Sequence, residues 1–439
     1  MTDQTAPQAG PRAKLSTDPY RGTRDFLPPE MSVRTQVFGT LYRVLEAFGF
    51  VRYDGPLLEA FELYEAKSSQ EIVNEQLYSL VDKGGRRLVI RPEMTPTVAR
   101  MIAGHSQELA LPVRWYAHVN CHRYERPQRG RLREHWQINA DIFGSTSHEC
   151  EVELFDLIRE LMLSIGAEPS TYAIRANDRI LAEAAFTNWV GLDRAALRPV
   201  LRALDKWEKV DEATREAMLQ ENGLTPEQID RVKAYAAMDL EQICGVAGPE
   251  AAGQSNLAKV IQGGLCRTPV KFDPLILRAF EYYTSTVFEV FDTSPTNRRS
   301  LFGGGRYDNL VSLFKKERIP GIGFGMGDVT LFDFLETHEI LPAPRVSPDV
   351  YVFGLDADSR ATAYGVAREL QEAGFHVVRS LDDLALPKHL KYASRVGARF
   401  VIMAGLSELA PGQVALRNMS ESSQEILSAG EVPAHLASA

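Results

Sequence analysis

The chain has 439 residues, with 49 Lys and Arg against 58 Asp and Glu, a formal net charge of −9, 44 % hydrophobic and 24 % charged side chains. That balance belongs to a folded globular protein and excludes disorder, collagen and coiled coil as overall descriptions. The excess of acid argues against a broad basic footprint for nucleic acid, so any polyanion contact has to rest on a few placed cations.

The length suggests roughly two to four domains. Residues 1–18 are polar, hold two prolines and lack an apolar run, which predicts a disordered tail and no signal peptide. Val33, Val37, Leu41, Val44, Leu45 and Phe48 share one face of a helix between Glu30 and Phe48, stopped by Gly49. A short strand then ends at Pro56. Between Pro112 and Gly144 the period switches to two, which predicts a long antiparallel hairpin. If that hairpin is symmetric about Gly130, Arg123 lies across from Gln137. Residues 178–262 lose their β-branched runs and read as a helical insertion between two parts of one core, 19–177 and 263–340. Strand patterns return over Ile276–Asp292 and Ile319–Met326. Three prolines within 341–348 mark a semi-rigid linker. Residues 349–439 alternate strand and helix, which predicts a small α/β domain with parallel strands. Cys121, Cys150, Cys244 and Cys266 form no C-x-x-C pair, which argues against a structural zinc site and fits a reducing, cytoplasmic location. No apolar run approaches the ~18 residues of a membrane span.

Four segments carry chemistry. His122 to His135 hold five arginines against two glutamates, +3 within an acidic chain. Arginine forks match phosphate oxygens, while a solvated charged loop is the plain alternative. The returning strand adds a polar face of Gln137, Asn139 and Asp141 beside that loop. Arg91-Pro92-Glu93-Met94-Thr95 places an acid and a hydroxyl on one turn, suited to an ammonium group; the alternative is a helix start capped by Thr95. Arg278 heads an aromatic, β-branched strand that includes Tyr282 and Tyr283. Finally, Gly321, Gly323, Gly325 and Gly327 alternate with Ile322, Phe324 and Met326. This spacing is neither a Walker loop nor a dinucleotide fingerprint. A strand with glycine at every second position either offers bare backbone to a flat ligand such as adenine or lets another strand pack closely.

Together these segments resemble the class II aminoacyl-tRNA synthetases, and within them the histidyl-tRNA synthetase family. The opening helix ending near Pro56 is similar to the class's first motif, which builds a dimer interface. Arg123-Tyr124-Glu125-Arg126-Pro127-Gln128 is similar to the second, and Gly321 to Leu331 to the third. Arg278-Ala279-Phe280-Glu281-Tyr282-Tyr283 and Gly304-Gly305-Arg306-Tyr307-Asp308 resemble stretches peculiar to the histidine branch. The last ninety residues, with Lys391-Tyr392-Ala393, resemble its anticodon-binding domain. The resemblance implies an α+β fold: an antiparallel-sheet class II catalytic core with a helical insertion, plus a C-terminal α/β anticodon-binding domain. It also implies ATP with Mg²⁺, L-histidine and tRNA(His) as partners, and a homodimer, with the insertion clamping the acceptor arm.

On matching positions the resemblance makes Arg278 and Arg123 catalytic. Both would grip the α-phosphate, Arg278 supplying charge where other class II enzymes use a metal, and Arg131 would hold the outer phosphates. Glu93 and Thr95 would hold the amino end of histidine, with Gln137 nearby. Asp141 and Tyr283 would read the imidazole, and Tyr282 belongs to the same histidine-binding set, with Arg123 and Arg278. The family has Glu where this chain has Asp141. A larger departure is in the third motif, which elsewhere ends Gly-x-Glu-Arg-Leu with an arginine on the γ-phosphate. Here it reads Gly327-Asp328-Val329-Thr330-Leu331. Either another cation, such as Arg129, Arg131 or Arg133, covers that phosphate, or ATP turnover is impaired. The rival reading is the synthetase-like regulatory subunit of ATP phosphoribosyltransferase, a protein type that typically lacks the anticodon domain.

Overall fold

The structure, a computed structural model, describes residues 15–65, 75–204, 207–277, 282–297 and 299–438. Most of the expected tail and the whole Arg278–Glu281 stretch therefore lie outside the described residues. Two compact units are present, one built on Arg34–Pro342 and one on Ala343–Ala439.

In chain order the strands of the first unit are β1 (Val51–Arg52), β2 (Leu58–Ala60), β3 (Tyr78–Val81), β4 (Arg87–Ile90), β5 (Val113–His122) and β6 (Glu134–Phe143). They continue with β7 (Tyr172–Asp178), β8 (Val270–Phe272), β9 (Thr286–Asp292), β10 (Ser300–Arg306) and β11 (Gly321–Gly327). Eight of them form one sheet in the order β1-β5-β6-β11-β10-β9-β7-β8, and β2, β4 and β3 form a small separate one. The six inner strands of the large sheet pair antiparallel, while the short edge strands β1 and β8 run parallel to their neighbours.

The two-residue period decides what each face does. Ile138, Ala140 and Ile142 of β6 and Ile322, Phe324 and Met326 of β11 enter the main core. There they meet Val37, Phe38, Leu41 and Leu45 of the helix Pro28–Ala47 and Leu154, Leu157 and Ile158 of the helix Glu149–Ser164. On the opposite face Asp141, Asn139 and Gln137 stand beside Gly323, Gly325 and Gly327 in register. A polar strand face is thus paired with a bare one, and this is where the cavity forms.

Two sequence expectations change here. The β5–β6 hairpin is not symmetric about Gly130: Gln137 pairs with Val119, and the Arg123 N–H donates to Arg133 O at 2.8 Å. The tip is irregular, closed by a bridge between Gln128 and Arg131, which shifts the register relative to a count from the glycine. The aromatic stretch is not a strand along its length, since β9 begins only at Thr286. Tyr282 and Tyr283 instead pack in a second core with Val98, Ile102, Phe143 and Tyr307.

Between β7 and β8 a set of helices surrounds its own core of Leu181, Phe186, Val200, Tyr235 and Ile243. Its two ends are tied together at Asp178. That carboxylate caps the helix Arg179–Ala185 by accepting from Ile180 N–H at 2.8 Å, and also accepts from Ser255 Oγ at 2.7 Å. Ser255 in turn caps the helix Asn256–Gln262 through Ala258 N–H at 3.0 Å.

The second unit holds β12 (Val350–Gly354), β13 (Val377–Arg379), β14 (Phe400–Ala404), β15 (Gln413–Asn418) and β16 (Gln424–Ser428), ordered β13-β12-β14-β15-β16. The first three are parallel as expected; β15 and β16 extend the sheet antiparallel, which the strand–helix alternation did not foretell.

Candidate active site

A cavity of about 850 Å³ opens over the polar face of β6 and β11, near the upper end of the ~300–1,000 Å³ usual for small-molecule sites. Its lining includes Glu93, Thr95, Arg123, Arg131, Gln137, Asp141, Tyr282 and Tyr283, so the residues expected on histidine and ATP that fall among the described residues meet in one space. Arg278 lies outside them.

The Glu93 end is built by an arginine that does not itself line the cavity. Arg91 is buried and donates from Nε to Asn120 O at 2.9 Å and from Nη1 to Gly55 O at 2.8 Å, fixing the turn before the helix Thr95–His105. Tyr64 Oη donates to Glu93 O at 2.9 Å from behind. Glu93 is 3 % exposed and its Oε2 accepts from Tyr282 Oη at 3.1 Å. The cap of that helix is Met94, without a side-chain hydrogen bond, so Thr95 is the first helical residue and faces the cavity instead of capping. A buried carboxylate beside a hydroxyl is the donor-hungry pair an ammonium needs.

Asp141 is an acid of the cavity whose ionisation is strongly perturbed. It is 1 % exposed, and burial pushes its carboxyl up to about 7, the hydrogen bond from Tyr307 acting the other way. Tyr307 Oη donates to Asp141 Oδ1, while Oδ2 is buried with no hydrogen-bond partner among the described residues. An N–H of a heteroaromatic ring is the kind of donor that oxygen lacks. Gly323 makes this pairing possible: a Cβ there would collide with Asp141 Oδ1 and come within 2.6 Å of Tyr307 Oη and Ala140 O. A Cβ at Gly325 would strike Gln137 Nε2. The alternating glycines therefore make room for the site's own side chains, and Gly325 and Gly327 still line the cavity. Tyr307 was visible only as part of a motif, and its contact with Asp141, 166 residues away in sequence, depends on β6 and β10 lying on either side of β11.

The other end is cationic. Arg123 is steadied by Nε donating to Pro92 O at 3.0 Å. Arg131 is half exposed and lies 3.6 Å from Glu125 Oε2. His135 adds no charge, because burial, with Arg123 nearby, drives its imidazole down to about 3. Cys121 is buried and its thiol is pushed up to about 12, so it is no nucleophile at neutral pH. Two arginines offered by the sequence point away from this end. Arg129 donates to Asp333 Oδ1 at 2.8 Å, and Arg133 donates to Tyr20 Oη at 2.6 Å while stacking on Tyr124.

Arg306 of the glycine-rich strand is structural. It is 2 % exposed and grips Glu151 with two bonds of 2.8 and 2.7 Å, with a third to Ser145 O at 2.9 Å. Asp328, in the third motif, is likewise buried, accepting from Arg34 and Arg24 at 2.8 Å each and from Trp136 N–H at 2.9 Å.

An antiparallel sheet carrying a polar cavity on one face, with an arginine-rich hairpin at its mouth, is the catalytic architecture of the class II aminoacyl-tRNA synthetases. A solved histidyl-tRNA synthetase from Nostoc sp. has this fold, with a TM-score of 0.80 and 24 % identity, covering 97 % of this chain and 100 % of that one. The family model for histidyl-tRNA synthetase matches residues 22–329, and the model for the anticodon binding domain matches 349–438. The histidine–tRNA ligase of Leptospira biflexa is 38 % identical over 422 residues, 95 % of this chain and 97 % of that one. That of Thermoplasma volcanium is 35 % identical over 428 residues, 95 % and 98 % of the two chains. The chain belongs to the histidyl-tRNA synthetase family.

Proposed function

We propose that the chain activates L-histidine with ATP to histidyl-adenylate and transfers the histidyl group to the 3′ end of tRNA(His). The observation that carries this reading is Asp141. A buried carboxyl poised near 7, with one oxygen held by Tyr307 and the other unpartnered among the described residues, suits an imidazole and would leave a wrong side chain facing an unpaired polar group. Glu93, Thr95 and Tyr282 take the ammonium, with Gln137 beside them; Tyr283 closes the ring pocket with Asp141.

Histidine's carboxylate then attacks the α-phosphorus of ATP, and pyrophosphate leaves. Arg123 holds the α-phosphate, and Arg278 is assigned to the same group from the family motif. Such transfer needs little covalent help from protein, and positioning with electrostatic stabilisation supplies the rate. The terminal ribose hydroxyl of the tRNA next takes the acyl group, and AMP leaves. Mg²⁺ enters on the phosphate oxygens of ATP as part of the substrate; among the described residues no group of three or more His, Cys, Asp or Glu side chains is placed to hold a metal. The match over residues 349–438 favours a ligase that engages an anticodon over a regulatory subunit. The enzyme is assigned to the cytoplasm as a homodimer, and among the described residues no helix is long and apolar enough to cross a membrane.

The test is histidine-dependent ATP–pyrophosphate exchange followed by charging of tRNA(His). Histidine binding with neither activity would point to the regulatory paralogue and overturn the reading, and exchange without charging would overturn the transfer step. In the same assay Arg278→Ala is expected to lose exchange nearly completely while still binding histidine.

A further inference from the structure

The third motif of this chain lacks its arginine, with Thr330 in that place. Thr330 Oγ1 instead donates to Leu301 O at 2.5 Å, which pins the start of the helix Asp328–Thr337 to the head of β10. Two residues before Leu301 stands Arg299. Its side chain lines the same cavity as Thr330, Gly130 and Arg131. The turn glycine Gly130 is the common neighbour: a Cβ there would lie 3.6 Å from both Arg299 Cδ and Thr330 Cγ2. The Arg299 guanidinium makes no hydrogen bond or ion pair among the described residues, in contrast to Arg129 and Arg133, which are committed elsewhere.

We propose that Arg299, reaching over from the head of β10, is the cation that binds the outer phosphates of ATP in this chain, in place of the arginine missing at position 330. The proposal rests on the nucleotide reading above. Its physical basis is that charge is needed at a point in space, not at a point in sequence. β10 and β11 are neighbouring strands, so a guanidinium from the first of them reaches the mouth that the helix after the second would otherwise serve. Arg123 and Arg131 approach the phosphates from the hairpin side, and Arg299 approaches across the tip of that hairpin. The fork geometry of arginine suits two oxygens of one terminal phosphate, which lysine engages only as a point charge.

Arg299→Ala is therefore expected to raise the KM for ATP in pyrophosphate exchange at least tenfold, with the KM for histidine within twofold of the parent. Arg299→Lys should recover part of that loss. Adding Thr330→Arg to Arg299→Ala should restore ATP affinity, because the second guanidinium returns to the same corner. Calorimetric binding of a non-hydrolysable ATP analogue and of AMP separates the phosphates from the rest of the nucleotide and needs no turnover. Arg299→Ala should weaken the analogue at least tenfold and leave AMP within twofold. A change below twofold for the analogue, or equal losses for the analogue and AMP, would overturn the assignment. If the parent chain binds the analogue in an Arg299-dependent way yet shows no histidine-dependent exchange, the ligase reading falls while this one stands.

Discussion

Asp141→Asn removes a charge that the fold pays to bury, so the variant should gain stability as pH rises while losing histidine. The carboxyl is held at about 7 against an ordinary 3.8. At 1.36 kcal/mol per pH unit, ionising it inside the protein costs about 4 kcal/mol. The sign follows from the raised value. Below pH 3.8 both folded and unfolded states carry the proton and there is no penalty. As pH rises toward 7 the unfolded chain ionises freely and the folded one does not, so stability is lost, and above 7 the folded state bears the whole cost. Between pH 5 and 8 the penalty grows by about 2.5 kcal/mol. Asparagine keeps an acceptor for Tyr307 but turns an N–H toward the side where Oδ2 has no partner, a fixed cost of about 1–3 kcal/mol. Thermal unfolding of parent and variant across pH 5–8 reads the difference directly, and other pH effects cancel. The variant should melt at or below the parent at pH 5 and several degrees above it at pH 8, with its KM for histidine raised throughout. A melting difference that stays flat over this range would refute the buried-charge reasoning.

Tyr307→Phe removes the donor that lowers Asp141, so the carboxyl should rise beyond 7 and the pH midpoint of KM for histidine should move upward; an unmoved midpoint would exclude the coupling. Gly323→Ala should raise the KM for histidine by on the order of 10-fold or more, since the Tyr307–Asp141 hydrogen bond has no room to form, and unchanged exchange kinetics would contradict the crowding. Arg306→Met strands the buried Glu151 carboxylate at a cost of about 3–5 kcal/mol, lowering the melting temperature by on the order of 10 °C. Arg129→Ala breaks an ion pair whose arginine is 58 % exposed, and should change stability by less than about 1 kcal/mol.

Sequence alone carried the assignment of segments to elements wherever a period was long enough to read. The helix near Val33–Phe48, the hairpin between Pro112 and Gly144 and the alternating glycine strand were all legible, because each rests on local geometry of 3.6 or two residues. The residues proposed for the site, Glu93, Thr95, Arg123, Arg131, Gln137, Asp141, Tyr282 and Tyr283, each belong to a recognisable motif, and the fold gathers these eight around one cavity. Roles that arise between strands were not. Gly323 reads locally as bare backbone, and only the β6–β11 register reveals that its missing side chain makes room for Asp141 and Tyr307. Arg306 shares its motif with Tyr307 yet turns to Glu151, because neighbours on a strand point to opposite faces. The acidic total of −9 said where cations had to be scarce, and the five-arginine loop said where some of them were. Which of those arginines stay available was settled by partners distant in sequence, Asp333 for Arg129 and Tyr20 for Arg133, while Arg299, just ahead of β10, was brought to the same cavity as Thr330 by the pairing of β10 with β11.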